Sequence, residues 1–224
     1  MTESRVRSFE DAPSGAPPVR GYLHIPANSP IGGLVLTHSA GANCQSPLLV
    51  AVANACCASG FAVLRCDLPF RQLRPHGPPQ QGSAERDQQG LRRAVEALRR
   101  EFPGSIFLGG HSYGGRQASM LASAEPRLAD ALLLLSYPLH PPKAPTQLRS
   151  VHFTLLRTPA LFVHGMRDGF GTIAEMSAAL KLIPARTQLF PVESAGHELM
   201  TARNRSALPD AIASAFAAFF KARA

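Results

Sequence analysis

The run Gly110-His111-Ser112-Tyr113-Gly114-Gly115 constrains this chain more than any other feature. It follows the apolar run Ser105-Ile106-Phe107-Leu108-Gly109 and precedes the helix-compatible run Arg116-Gln117-Ala118-Ser119-Met120-Leu121-Ala122. A strand, a tight turn with serine at its apex and then a helix form the context that a G-x-S-x-G nucleophile elbow needs. The serine of such a turn sits at a strained backbone position. Its neighbours two residues away on either side must therefore lack bulk, and Gly110 and Gly114 meet that demand. The turn lifts the Ser112 hydroxyl out of the sheet and sets a helix N-terminus behind a developing oxyanion. A plain Gly/Ser turn would require neither flank.

Strand-like and helix-like runs alternate along the chain. Val19 to Ile25 alternates like a half-exposed strand, with Val6 to Phe9 as its expected hairpin partner across the Pro/Gly-rich stretch 11–18. Short apolar runs at 33–37, 62–66, 106–108, 131–135, 160–164 and 187–192 read as strands, most of them buried. Leu48, Val52 and Ala55 fall on one helical face, and Leu91, Val95 and Leu98 on another. The latter helix takes Ser83 as N-cap with Glu85 and Asp87 in its first turn. A last helix carries Leu208, Ile212, Phe216 and Phe219, with Ser206 as cap and Pro209 in the first turn. This alternation predicts one α/β domain over residues 1–224, a mostly parallel sheet with helices on both faces and residues 1–18 at its periphery. The Pro-, Arg- and Gln-rich stretch 67–82 is expected as a loop at the C-terminal edge of the sheet, where ligands of open α/β sheets bind.

A lone serine is a poor nucleophile; it needs a base to take its proton and an acid to orient that base. Elbow enzymes place these in the order serine, acid, histidine, each after a late strand. Asp168 follows the 160–164 run in His164-Gly165-Met166-Arg167-Asp168-Gly169. It also suits a turn that caps a helix near Thr172. Asp67 follows the 62–66 run but precedes the serine and breaks the order. His197, in Glu193-Ser194-Ala195-Gly196-His197-Glu198, follows the last strand and fits the base.

Other chemistries find less support. The eight histidines are dispersed, no H-E-x-x-H spacing occurs, and no P-loop or dinucleotide fingerprint is present, so neither metal nor cofactor is expected. The net charge of +8 invites a nucleic-acid reading, yet the arginines are scattered and lack interleaved aromatics. Arg92, Arg93, Arg99 and Arg100 read as the solvated face of one helix. No run approaches a membrane span, and Met1 to Arg7 contains no apolar signal segment. Cys44, Cys56, Cys57 and Cys66 form no C-x-x-C pair and read as buried reduced thiols, which suits a cytoplasmic protein.

With strand–helix alternation, an elbow, and acid and base in order, the chain resembles the α/β-hydrolase superfamily over roughly residues 19–222. More narrowly it resembles a branch of small dienelactone-hydrolase-like proteins. That branch includes a testis-expressed vertebrate protein and a subunit of a nuclear histone-acetyltransferase complex. The narrower likeness rests on Thr37-His38-Ser39-Ala40-Gly41-Ala42, on Gly109 to Arg116, and on Ser136-Tyr137-Pro138-Leu139-His140-Pro141-Pro142-Lys143. The resemblance implies an α/β-hydrolase fold and a carboxylesterase-like serine hydrolase. Its oxyanion donors are then the N–H of Tyr113 and an N–H of the 37–42 loop, Ala40 with Ser39 as the alternative. That loop is similar to the superfamily's His-Gly-x-Gly type, with Ser39 replacing the first glycine. His38 reads as a brace for the loop. The short segment between Pro138 and Ala160 leaves no room for a large lid, which implies an open site for a small acyl ester, lactone or thioester. The arginine-rich, lysine-poor composition suggests a bacterial source. The other reading is a non-catalytic binding or scaffold module on this fold; it would be expected to have lost an elbow serine, acid or base.

Overall fold

Apolar runs without polar alternation require burial on both faces. The strands β3 (Gly32–Thr37), β4 (Phe61–Cys66), β5 (Ile106–His111), β6 (Ala131–Leu135) and β7 (Ala160–Gly165) are buried at every position. The structure, a computed structural model, describes residues 4–222. These five strands are joined by β1 (Arg5–Asp11), β2 (Val19–Ile25) and β8 (Thr187–Val192) in one eight-stranded sheet. The order is β1-β2-β4-β3-β5-β6-β7-β8. From β4 to β8 every pairing is parallel; β1 and β2 form an antiparallel hairpin at one edge, with Phe9 opposite Gly21.

Helices cover both faces. On one side α1 (Pro47–Ala58) and α6 (Leu208–Lys221) pack Leu49, Val52, Ile212 and Phe216 onto Leu34, Leu36 and Leu133. Phe216 stands edge-on to Phe107, with ring centroids 5.3 Å apart. On the other side α3 (Ser83–Glu101), α4 (Tyr113–Ala124) and α5 (Ile173–Leu180) bury Leu91, Val95, Leu121 and Met176 against Val35, Leu108 and Leu134. Full burial of each such side chain contributes roughly 1.5–3 kcal/mol. No large lid lies over the sheet: the β6–β7 connection holds only the 3₁₀ turn Val151–Leu155. Among the described residues no helix is long and apolar enough to cross a membrane.

Some local expectations are corrected and others hold. Gly82, at φ 87°, is the N-cap of α3, and Ser83 is its first residue, donating its hydroxyl to the Gln80 carbonyl. Asp87 is fully buried and accepts the Phe70 N–H at 3.0 Å and the Tyr113 hydroxyl at 2.8 Å. It ties three elements together and does not serve the helix dipole from the surface. Ala207 precedes α6 and offers no side-chain cap, because the Asn204 carbonyl already accepts the Leu208 N–H at 2.8 Å. The 67–82 stretch contains a short helix, α2 (Pro69–Leu73). Arg65 and Arg71 are buried. Arg92, Arg93 and Arg100 are ion-paired, to Glu125, to Asp11 and Glu96, and to Asp11 respectively. Cys44, Cys56, Cys57 and Cys66 are buried and unbonded, and burial pushes the Cys44 and Cys56 thiols up to about 12.

Candidate active site

The β5–α4 junction places Ser112 at φ 51° and ψ −114°, a conformation L side chains seldom adopt. Hydrogen bonds hold it there. The Ser112 N–H donates to Leu135 O at 2.8 Å, and its carbonyl accepts the Arg116 N–H at 2.9 Å. The flanking glycines are required by space. A Cβ on Gly110 would meet Thr37 O and Gly114 C, both at 2.8 Å. One on Gly114 would meet His38 O at 2.6 Å. The turn is therefore pressed against the end of β3, and the Gly114 N–H donates to His38 O at 3.2 Å.

His197, after β8, carries its Nε2 2.7 Å from Ser112 Oγ. Its Nδ1 lies 2.8 and 3.0 Å from the two carboxylate oxygens of Asp168, after β7. Nδ1–H donates to the carboxylate, which leaves Nε2 to accept the serine proton. The structure thus brings Ser112, His197 and Asp168 into one chain of hydrogen bonds. Phe170 shapes both partners: its N–H donates to Asp168 Oδ1 at 2.8 Å, and its ring lies over the His197 imidazole at 4.1 Å. The helix near Thr172 takes its cap from Thr172 itself, in a capping box with Glu175. Burial alone would raise the Asp168 carboxyl, but the hydrogen bond and charge of His197, with the Phe170 N–H and His164, hold it below the usual carboxylate range. The two loops are locked together. Gly165 lets the 195–196 backbone pass where a Cβ would meet Gly196 O at 2.4 Å, and Arg167 N–H donates to Ala195 O at 2.8 Å. Asp67 lies elsewhere: it accepts the Cys44 N–H at 2.7 Å and stands 3.6 Å from His38.

Tyr113 opens α4, and Ala40 lies in a turn closed by the Ala42 N–H on Ser39 O at 3.2 Å. Among the described residues the N–H groups of Tyr113 and Ala40 donate to no backbone acceptor. His38 is fully buried; its Nε2 accepts the Leu68 N–H at 3.1 Å and its Nδ1 donates to Ser39 O at 2.8 Å.

A family described as alpha/beta hydrolase domain matches residues 31–221. The chain belongs to that family. Solved structures share the fold of this α/β hydrolase. A dienelactone hydrolase from Anabaena variabilis is 20% identical, with a TM-score of 0.75 over 96% of this chain and 98% of that one. A lidless α/β serine hydrolase from Xanthomonas campestris is 19% identical, with a TM-score of 0.73 over 98% and 96%. The esterase domain of a Rhodothermus marinus protein is 15% identical, with a TM-score of 0.70 over 94% and 97%.

Two further histidines of this α/β hydrolase support the Ser112–His197–Asp168 chain, and sequence reasoning missed both. His111, beside the elbow serine, donates from Nε2 to the His197 carbonyl at 2.9 Å. His164 donates from Nε2 to Gly171 O at 2.7 Å, with Asp168 Oδ2 3.7 Å away. Burial holds both imidazoles below the ordinary histidine pKa. His111 fills a variable position of the elbow motif and His164 sits in none, so only their place at the C-terminal ends of β5 and β7 marks them. Among the described residues no three His, Cys, Asp or Glu side chains group so as to hold a metal ion.

Proposed function

We propose that this α/β hydrolase is a serine hydrolase of carboxylesterase type that cleaves small acyl esters, lactones or thioesters through an acyl-enzyme. The observation that carries this reading is the continuous hydrogen-bond chain from Ser112 Oγ through His197 to Asp168. His197 Nε2 takes the Ser112 proton as Oγ attacks the acyl carbonyl, and Asp168 stabilises the imidazolium through Nδ1–H. His197 then gives its proton to the departing alcohol or thiol. A water, deprotonated in turn by His197, attacks the acyl-enzyme and releases the acid, which regenerates Ser112.

The N–H groups of Tyr113 and Ala40 bind the tetrahedral oxyanion. Peptide planarity favours Ala40 over Ser39. In a trans peptide the N–H points opposite to the carbonyl of the preceding residue. The His38 carbonyl is turned onto the Gly114 N–H, so the Ser39 N–H points away from α4. The Ser39 carbonyl is turned back onto His38 Nδ1 and the Ala42 N–H, so the Ala40 N–H points out of the loop.

A small soluble acyl compound fits a site without a large lid, and no cofactor is called on. The narrower kinship with the dienelactone-hydrolase-like branch, the single-domain organisation, the cytoplasmic location and the bacterial source belong to the same proposal. Labelling with a fluorophosphonate probe tests it. Native protein reacts at Ser112 and hydrolyses short activated esters, and Ser112→Ala does neither. A native chain that takes no label and cleaves none of a broad ester panel would instead be a scaffold.

A further inference from the structure

We propose that Arg71 is a positioning residue for the oxyanion loop, acting through the backbone carbonyls of Ala40 and Ala42; the inference rests on the serine-hydrolase reading above. Arg71 lies on α2 and is only 5% exposed. Its guanidinium donates to four carbonyl oxygens. Nε reaches Ala42 O at 2.7 Å, Nη2 reaches Ala40 O at 2.8 Å and Gly77 O at 2.9 Å, and Nη1 reaches Arg74 O at 3.0 Å. Among the described residues no carboxylate forms an ion pair with it. A guanidinium stays charged in a protein, and burying one without a counterion is costly. Here the compensation comes from carbonyl dipoles of two segments, the turn after β3 and the stretch after α2, together with the Phe70 ring, over which the guanidinium lies at 4.9 Å.

The turn that Arg71 grips has little else to hold it. A Cβ on Gly41 would meet nothing within 4 Å, and Gly41 is exposed. Packing therefore does not set this turn; hydrogen bonds do. His38 Nδ1 fixes the Ser39–Ala40 peptide plane through Ser39 O. Arg71 Nη2 fixes the next plane, Ala40–Gly41, through Ala40 O. The Ala40 N–H lies in the first of these planes; with the second held as well, both soft dihedrals of Ala40 are set and the first plane is kept from turning. The planar fork of arginine reaches several carbonyls at set angles. A lysine ammonium on a flexible stem does not reproduce that.

The experiment compares native protein, Arg71→Gln, Arg71→Lys and the remote control Arg186→Gln. Arg186 also donates to backbone carbonyls, those of Phe219 and Ala222, and its guanidinium lies over the Phe219 ring at 4.2 Å. Turnover of a short activated ester is expressed per fluorophosphonate-labelled site, so that unfolded protein does not count. Both Arg71 variants are expected to label fully on long incubation. They lose on the order of 10²-fold in kcat, the scale of a misplaced oxyanion donor, with KM within about twofold. Arg71→Lys keeps the charge and the fold and still shows the loss. Arg186→Gln lowers thermal stability and leaves kcat per labelled site unchanged. The proposal is overturned if kcat of either Arg71 variant stays within about twofold of native. It is also overturned if the loss lies in KM alone, or if Arg186→Gln loses kcat to the same extent. A native chain that does not label at Ser112 removes the serine-hydrolase reading and this inference with it. Full labelling with an unaffected Arg71→Lys removes this inference alone.

Discussion

The His111 imidazole holds the backbone carbonyl of His197 through a 2.9 Å hydrogen bond from Nε2. The residue before the elbow serine thus fixes the loop that carries His197, and the two rings lie 5.5 Å apart. His111→Leu removes the donor and leaves the His197 carbonyl without that partner. We expect a stability loss of about 1–3 kcal/mol. We also expect kcat to fall on the order of tenfold at unchanged KM, because His197 loses its seat and not its chemistry. Urea unfolding and steady-state kinetics check this; native kcat in the folded variant would remove the positioning role.

Gly114 lies in the elbow and Gly41 in the turn after β3, and we expect the two to respond differently to one added methyl group. A Cβ on Gly114 meets His38 O and Thr37 Cγ2, both at 2.6 Å, and His38 O is backbone that only moves with its loop. Gly114→Ala therefore costs about 1–3 kcal/mol and reduces esterase turnover as the loop shifts. Gly41 has open space, so Gly41→Ala stays within about 0.5 kcal/mol of native stability. Equal thermal midpoints for the two variants would contradict the close packing of elbow against loop.

That Ser112, Asp168 and His197 meet was legible because each sits in a local pattern tied to a strand end. Glycines at fixed offsets from Ser112, a turn after β7 and a Gly-His after β8 all survive as strings of neighbouring residues. What stayed hidden acts across sequence distance. Arg71 grips carbonyls 29 and 31 residues away. Asp87 looked like a first-turn dipole acid, yet its carboxylate is a hub between α2, α3 and the elbow. Ser83 and Ser206 are good caps by type, but Ser83 spends its hydroxyl on Gln80 O, and the Asn204 carbonyl already accepts the Leu208 N–H that Ser206 would have capped. Side-chain type encodes what a residue is able to do; only the fold decides which partner it meets.

Acid weakens this fold through its histidines. Burial holds His24, His38, His111, His152 and His164 below the ordinary histidine pKa, with His24 and His152 at about 4. Between about pH 6.5 and those lower values the unfolded chain binds protons that the native state refuses. A base whose folded pKa is depressed stabilises the fold above its unfolded pKa, and that contribution falls away as pH drops through the window. We expect the urea midpoint to fall steadily from pH 7.5 to pH 5. A midpoint that rises on acidification would mean that these imidazoles are charged in the fold.

Asp168 makes the sharpest division between fold and chemistry. Its side chain is fully buried, and its carboxylate serves His197 Nδ1–H and the Phe170 N–H. Its folded pKa is depressed despite burial, so ionised Asp168 stabilises the native state above the usual carboxylate range. That contribution is lost as pH falls through the folded value. Asp168→Asn is therefore less stable than native at pH 7, and the gap narrows in acid. In the proposed serine-hydrolase mechanism Asp168 only orients His197 and compensates its charge. Its replacement lowers kcat by on the order of 10⁴, while Ser112→Ala and His197→Ala each remove on the order of 10⁶. Steady-state kinetics on one activated ester, with unfolding curves at pH 7 and about pH 3, below the ordinary aspartate pKa, check both halves. If Asp168→Asn matches His197→Ala in kcat, Asp168 does more than orient. If Asp67→Asn shows the larger loss of the two aspartate variants, the acid has been assigned to the wrong strand.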